Sequence, residues 1–186
     1  MQQNTVEISK GLRFIFVGLC LNILTVLPVP LLSAEEAVLA ASVLAFGLTV
    51  SGLIFAGRGD KKYYVPLVLL AVNTLGVEML QRSLTGMVVF WLAIVRLALS
   101  TVTLSLICAI TLPWMAQRRG KPSWMGRAAW VGCVVSGVLV LAFNLLAMVP
   151  GREMLAAILS VVGMAALVVT AVLYMVFVWQ AGTWLK

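Results

Sequence analysis

Histidine is absent from this chain of 186 residues, acidic residues number only six, and charged residues of both signs together make up 10% of it. Without histidine the commonest general base and metal ligand at neutral pH is missing. The acids, Glu7, Glu35, Glu36, Asp60, Glu78 and Glu153, are scattered and provide no pair at one depth for acid and base roles. Three cysteines, Cys20, Cys108 and Cys133, lie in separate apolar segments without Cys-x-x-Cys spacing. They read as small buried hydrophobes rather than a redox pair or a zinc site. HExxH, GxSxG and Walker patterns are also missing. The chain is therefore not expected to be an enzyme, or to bind a metal or cofactor.

A hydrophilic stretch long enough to fold as a soluble domain is lacking too. What fills the chain is apolar: 63% of residues are hydrophobic and the mean hydropathy is +1.13, which marks an integral membrane protein. A helix needs roughly 20 mostly apolar residues to cross the hydrocarbon core. Six segments meet that requirement, at about 12–32, 35–56, 63–81, 86–113, 127–149 and 153–183. The expected fold is all-α, one membrane domain over 1–186 with six transmembrane helices. The third segment is the weakest, being short and holding Pro66, Asn73 and Glu78, so a five-helix arrangement with a re-entrant third segment is the alternative. In "LPVPLLSAEEA", Pro28 and Pro30 break the first segment from the second, and Ser33 followed by Glu36 has the capping-box spacing. The other connections, such as "GRGDKK" and "QRSLTG", are short, so consecutive helices are expected to form antiparallel hairpins. The Arg-Gly-Asp tripeptide at 58–60 reads as a polar turn.

The net charge is +7, and its distribution is topological. Ten of the thirteen basic residues fall in the N-terminal flank (Lys10, Arg13), the second loop (Arg58, Lys61, Lys62), the fourth loop (Arg118, Arg119, Lys121, Arg127) and at Lys186. By the positive-inside rule both termini are expected in the cytoplasm. Compactness and short loops point to a bacterial cytoplasmic membrane. The basic fourth loop suits anionic lipid headgroups, at about 1 kcal/mol per basic residue near the surface. It is too small for nucleic acid.

One polar layer stands out. Counted from their own ends of the spans, Asn22, Asn73 and Arg96 each lie about 15 Å deep. An arginine at that depth costs about 2.5–3.5 kcal/mol on insertion scales and calls for a partner. Asn73 is the expected neighbour, through its side-chain oxygen. Glu78 is the ionic candidate, but a turn centred near residue 83 would leave it about 12 Å from Arg96 along the helix axes. Arg96, Ser100 and Thr103, at i, i+4 and i+7, share one helix face. Small residues recur at four-residue spacing (Ala128, Gly132, Ser136 beside Ala129, Cys133, Gly137) and suit close helix packing within the chain.

Two functions follow. The first is a small transport protein, a channel or carrier and oligomeric, whose pathway for a small polar or anionic solute runs past Arg96, Asn73, Asn22, Ser100, Thr103 and Glu78. The second is a non-transporting subunit that scaffolds, anchors or regulates a partner membrane protein. In the first case the Arg96–Ser100–Thr103 face borders water; in the second it is sealed by protein.

Overall fold

The computed structural model describes residues 2–26, 35–119 and 123–185. Among these the regular structure is helical throughout: α1 (Gln2–Val26), α2 (Glu35–Gly59), a 3-10 turn (Lys61–Tyr63), α3 (Tyr64–Ala71), a π-helical segment (Val72–Val77), α4 (Glu78–Ser83), α5 (Met87–Arg119), α6 (Trp124–Leu146) and α7 (Glu153–Trp184). Five stretches are long and apolar enough to cross a bilayer: Glu36–Gly59, Lys61–Gln81, Met87–Arg118, Trp124–Leu146 and Met154–Trp184. The chain is an integral membrane protein. These stretches match the second to sixth expected spans. The first, 12–32, falls on α1, which starts well before residue 12 and leads into residues 27–34, outside the described ones. Ser33, the expected cap, lies there too.

The third span exists but is broken. Pro66 sits in the first turn of α3, where its missing N–H costs nothing. The helix then widens into the π segment before returning to α geometry at Glu78. Gly86 (φ +77°) and Gly151 (φ +79°) occupy the left-handed region in the turns that follow α4 and α6, which only glycine enters without steric cost.

The described residues form two compact units, and α5 and α7 each contribute to both. One unit holds the described residues of 1–67, 113–122 and 175–186. In it α1 runs antiparallel to α2 with backbones in near contact. Gly59 lies against Asn4, Gly52 against Gly11 and Ile15, and Gly18 against Ala45 and Thr49. The contact residues recur every seventh position on both helices, the period that keeps two helices facing each other. Polar residues 2–10 are helical because the stripe Ile8, Leu12, Ile15 is fully buried in this packing. The same pairing, with Asn4 beside Gly59, puts Arg13 about 13 Å inward from the end of α2. Its charge is settled on α7: Arg13 Nε donates to the Gly182 carbonyl at 2.9 Å, and Ser9 Oγ donates to the same oxygen at 2.6 Å. That carbonyl belongs to the last turn of α7, which has no basic residue of its own, so α1 supplies the cation that a helix C-terminus favours.

The Arg-Gly-Asp sequence, expected as a polar turn, is divided: Arg58 and Gly59 end α2, with Gly59 buried against α1, and only Asp60 lies in the turn. Asp60 Oδ1 accepts from the Lys62 N–H at 3.0 Å and caps the 3-10 turn, while Oδ2 accepts from Trp114 Nε1 at 2.9 Å.

The other unit holds residues 68–112 and 123–174. The small residues of α6 pack inside the chain: Gly132 meets Thr170 of α7, and Gly137 meets Thr101 of α5. Ala129, Cys133, Ser136 and Gly137 are buried along that face. Cys108 and Cys133, both buried free thiols, are in side-chain contact.

Close glycine contact generates a test. A Cβ at position 11 would fall on the Gly52 carbonyl and 2.5 Å from the Ala56 nitrogen, whereas one at Gly47 would meet nothing within 4 Å. Gly11→Ala should lower stability in micelles by about 1–3 kcal/mol, read by steric trapping or SDS unfolding, and Gly47→Ala should leave it unchanged or slightly raised. Equal effects would contradict the packing.

Candidate functional site

The polar residues singled out from sequence divide between the units. Asn22 is exposed on α1 in the first and has an interaction partner within the chain. Asn73, Arg96, Ser100 and Thr103 belong to the second.

The cluster is built by two elements of that unit. Asn73 is on the π segment, 7% exposed, and its Nδ2 donates to Ser100 Oγ on α5 at 2.9 Å. This bond sets the level of one element against the other. Each residue closer to the turn matches its counterpart on α5, so Arg96, four before Ser100, is level with Val77, four after Asn73. The expected separation of about 12 Å between Glu78 and Arg96 is thereby corrected to less than about one α-helical turn, 5.4 Å, along the axes. The physical reason is that α4 runs on to Ser83, the Leu84 N–H still bonds the Leu80 carbonyl, and Gly86 turns the chain. The apex is near 86, not 83. Glu78 opens α4 by its backbone; its side chain lies outside the described ones.

A second expectation is also corrected. The Asn73 carboxamide bonds Ser100, not Arg96, because Ser100 is at its level and Arg96 is a helical turn away, about 6 Å. Asn73 Oδ1 is left buried with no hydrogen-bond partner among the described residues.

The stripe on α5 changes character along its length. Thr103, 4% exposed, turns its hydroxyl back to the Leu99 carbonyl at 2.7 Å, a common way for a threonine to satisfy itself within a membrane helix. Ser100 is half-buried and taken by Asn73. Arg96 has an interaction partner within the chain and is nevertheless exposed, beside exposed Trp91, Val95 and Val102. The face is sealed by protein toward Thr103 and open at Arg96.

Of the basic loop residues, Arg118 and Arg127 are exposed. The Arg119 side chain and Lys121 lie outside the described residues. Among the described residues no group of three His, Cys, Asp or Glu could hold a metal ion.

Three polar contacts are not read from sequence: Ser9 and Arg13 on the Gly182 carbonyl, Asp60 on Trp114, and the bond that accompanies the π segment. The seven-residue recurrence of Gly11 with Gly18 and Gly52 with Gly59 was the available signal for the close approach of α1 and α2. Only the pair Asn73 and Gly76 inside an apolar run hints at the π segment.

No protein-family model, curated protein or solved structure matches the chain.

The register can be tested by cross-linking. With native cysteines replaced, a pair at Val77 and Arg96 should join through a short bifunctional thiol reagent, and a pair at Leu70 and Arg96 should not. The reverse pattern is what an apex at 83 would give.

Proposed function

We propose that this chain is a non-transporting membrane subunit that assembles, through the Arg96 face of α5, with a partner membrane protein or with further copies of itself. The observation that supports this most is the fate of the polar stripe. A solute pathway needs Ser100 and Thr103 facing water, but Thr103 is bonded to its own helix and Ser100 to Asn73. Arg96, in contrast, lies on an exposed apolar surface. Polar groups within a bilayer face protein or water rather than lipid, since lipid contact costs several kcal/mol at the centre, about 2.5–3.5 on insertion scales. A protein surface laid over Arg96 removes that cost.

The same reading takes six spans in antiparallel hairpins, with both termini in the cytoplasm of a bacterial cell. It counts α1 as a span because it runs alongside α2 from Asn4 to Gly18, and it places the termini by the basic residues of the loops. Arg118, Arg119, Lys121 and Arg127 then meet anionic headgroups.

Flux in proteoliposomes separates this from a channel or carrier. Across a panel of ions and small polar or anionic solutes, the intact protein should not exceed protein-free vesicles, and folded Arg96→Gln should equal it. A flux that folded Arg96→Gln abolishes would overturn the proposal. Reporter fusions at both ends should be active only in the cytoplasm; a periplasmic signal at either end would contradict the orientation.

A further inference from the structure

We infer that the π-helical segment and α5 together form a buried site for one small neutral molecule that both donates and accepts a hydrogen bond, held between Asn73 Oδ1 and the Ser100 hydroxyl. The inference does not depend on the assembly reading.

A carboxamide carries two N–H donors and an oxygen with two lone pairs. At Asn73 one donor is used on Ser100 at 2.9 Å, and the oxygen is buried without a partner. Rotating the carboxamide by 180° does not help. Oδ1 would then accept from Ser100, and the two N–H groups would be stranded instead. In the arrangement present, Ser100 accepts through Oγ, and no acceptor for its own proton is found among the described residues. One unsatisfied acceptor, Asn73 Oδ1, and two uncommitted donors, the second Asn73 N–H and the Ser100 hydroxyl, thus lie on two side chains already in contact. A molecule bridging the acceptor and the hydroxyl completes both.

The neighbourhood selects its charge. Asn73 and Ser100 are both neutral and offer no countercharge to a buried cation. An anion would meet the carboxamide oxygen itself. Size is limited by the burial of Asn73 and Val77 at 7% exposure each. The occupant is therefore of the size of water, ammonia or methanol. Buried polar atoms that lack a protein partner are commonly completed by an ordered water, and π segments recur at functional positions.

The test uses the full chain in lipid nanodiscs and nitrogen-edited NMR. Transfer from water protons to the Asn73 side-chain amide and the Thr74 backbone amide should be seen in the intact protein, with the sign of a slowly exchanging molecule. In Ser100→Ala that transfer should be lost or reduced several-fold, with the remaining spectrum unchanged. Addition of methanol, or of ammonia at fixed pH, distinguishes the occupants. A saturable shift at Asn73 with loss of the water signal identifies the added molecule as a ligand of the site; no shift identifies water as its occupant. Absence of any transfer in the intact protein would overturn the inference. So would a Thr74 signal of equal strength in Asn73→Leu, which would mean general water penetration.

Discussion

Hydrocarbon offers no hydrogen bonds, and the placement of polar side chains along these helices follows from that constraint. Ser42, Thr49, Thr103, Thr111 and Ser136 all donate to a carbonyl four residues earlier on their own helix, and Asn144 does the same through Nδ2. Bonds of this kind cost the membrane little and link no two elements. The polar groups that reach another element do the organising: Ser9 and Arg13 bind α1 to the end of α7, Asp60 holds Trp114 of α5, and Asn73 fixes the π segment against Ser100. Interhelical bonds of this kind are modest in energy, about 0.6 kcal/mol on average in a membrane protein. Their larger effect is on register, since shifting either element by one residue would leave a buried carboxamide with no partner at all.

Shape complementarity does the rest of the packing. Lipid tails are as apolar as leucine, so helices gain little by hiding aliphatic side chains from them, and close contact must supply the attraction. Gly11 against Gly52 and Gly137 against Thr101 are places where the absent side chain is what permits contact. Large apolar residues such as Val138, Val161 and Val168 are accordingly left on the outside, where a bilayer accepts them. Arg96 is an exposed charged residue on an apolar surface of α5, and the proposed assembly takes that mismatch as its ground.

Much of the architecture was legible in the sequence because span length and apolar composition are set by bilayer thickness. Five expected spans have counterparts in the helices described, while the turn expected at Arg58–Asp60 starts only at Asp60, because α2 runs through Gly59. The candidate site was legible in its members but less so in its geometry. Arg96, Ser100 and Thr103 share a face because helical periodicity requires it, yet periodicity says nothing of whether that face is covered. Hairpin arithmetic misplaced Glu78 because it centred the turn of "QRSLTG" near residue 83, whereas the helix continues through Ser83 and the left-handed glycine at 86 reverses the chain. The π segment adds a change of pitch that no apolar pattern records. Arg13 looked like a flanking charge from its neighbours in sequence; the depth it takes is set by α2, a helix distant in sequence.

The central claim is that protein, neither lipid nor water, covers the Arg96 face in the membrane. Spin labelling at Val95, adjacent to Arg96 and exposed in the isolated chain, tests it most directly in native-like membranes with the native cysteines replaced. Accessibility to both oxygen and a water-soluble nickel chelate is expected to be low, against high oxygen accessibility at a lipid-facing control such as Val138. High oxygen accessibility at Val95 would mean that lipid covers the face, and high chelate accessibility would mean a water-filled pathway; either result would contradict the account.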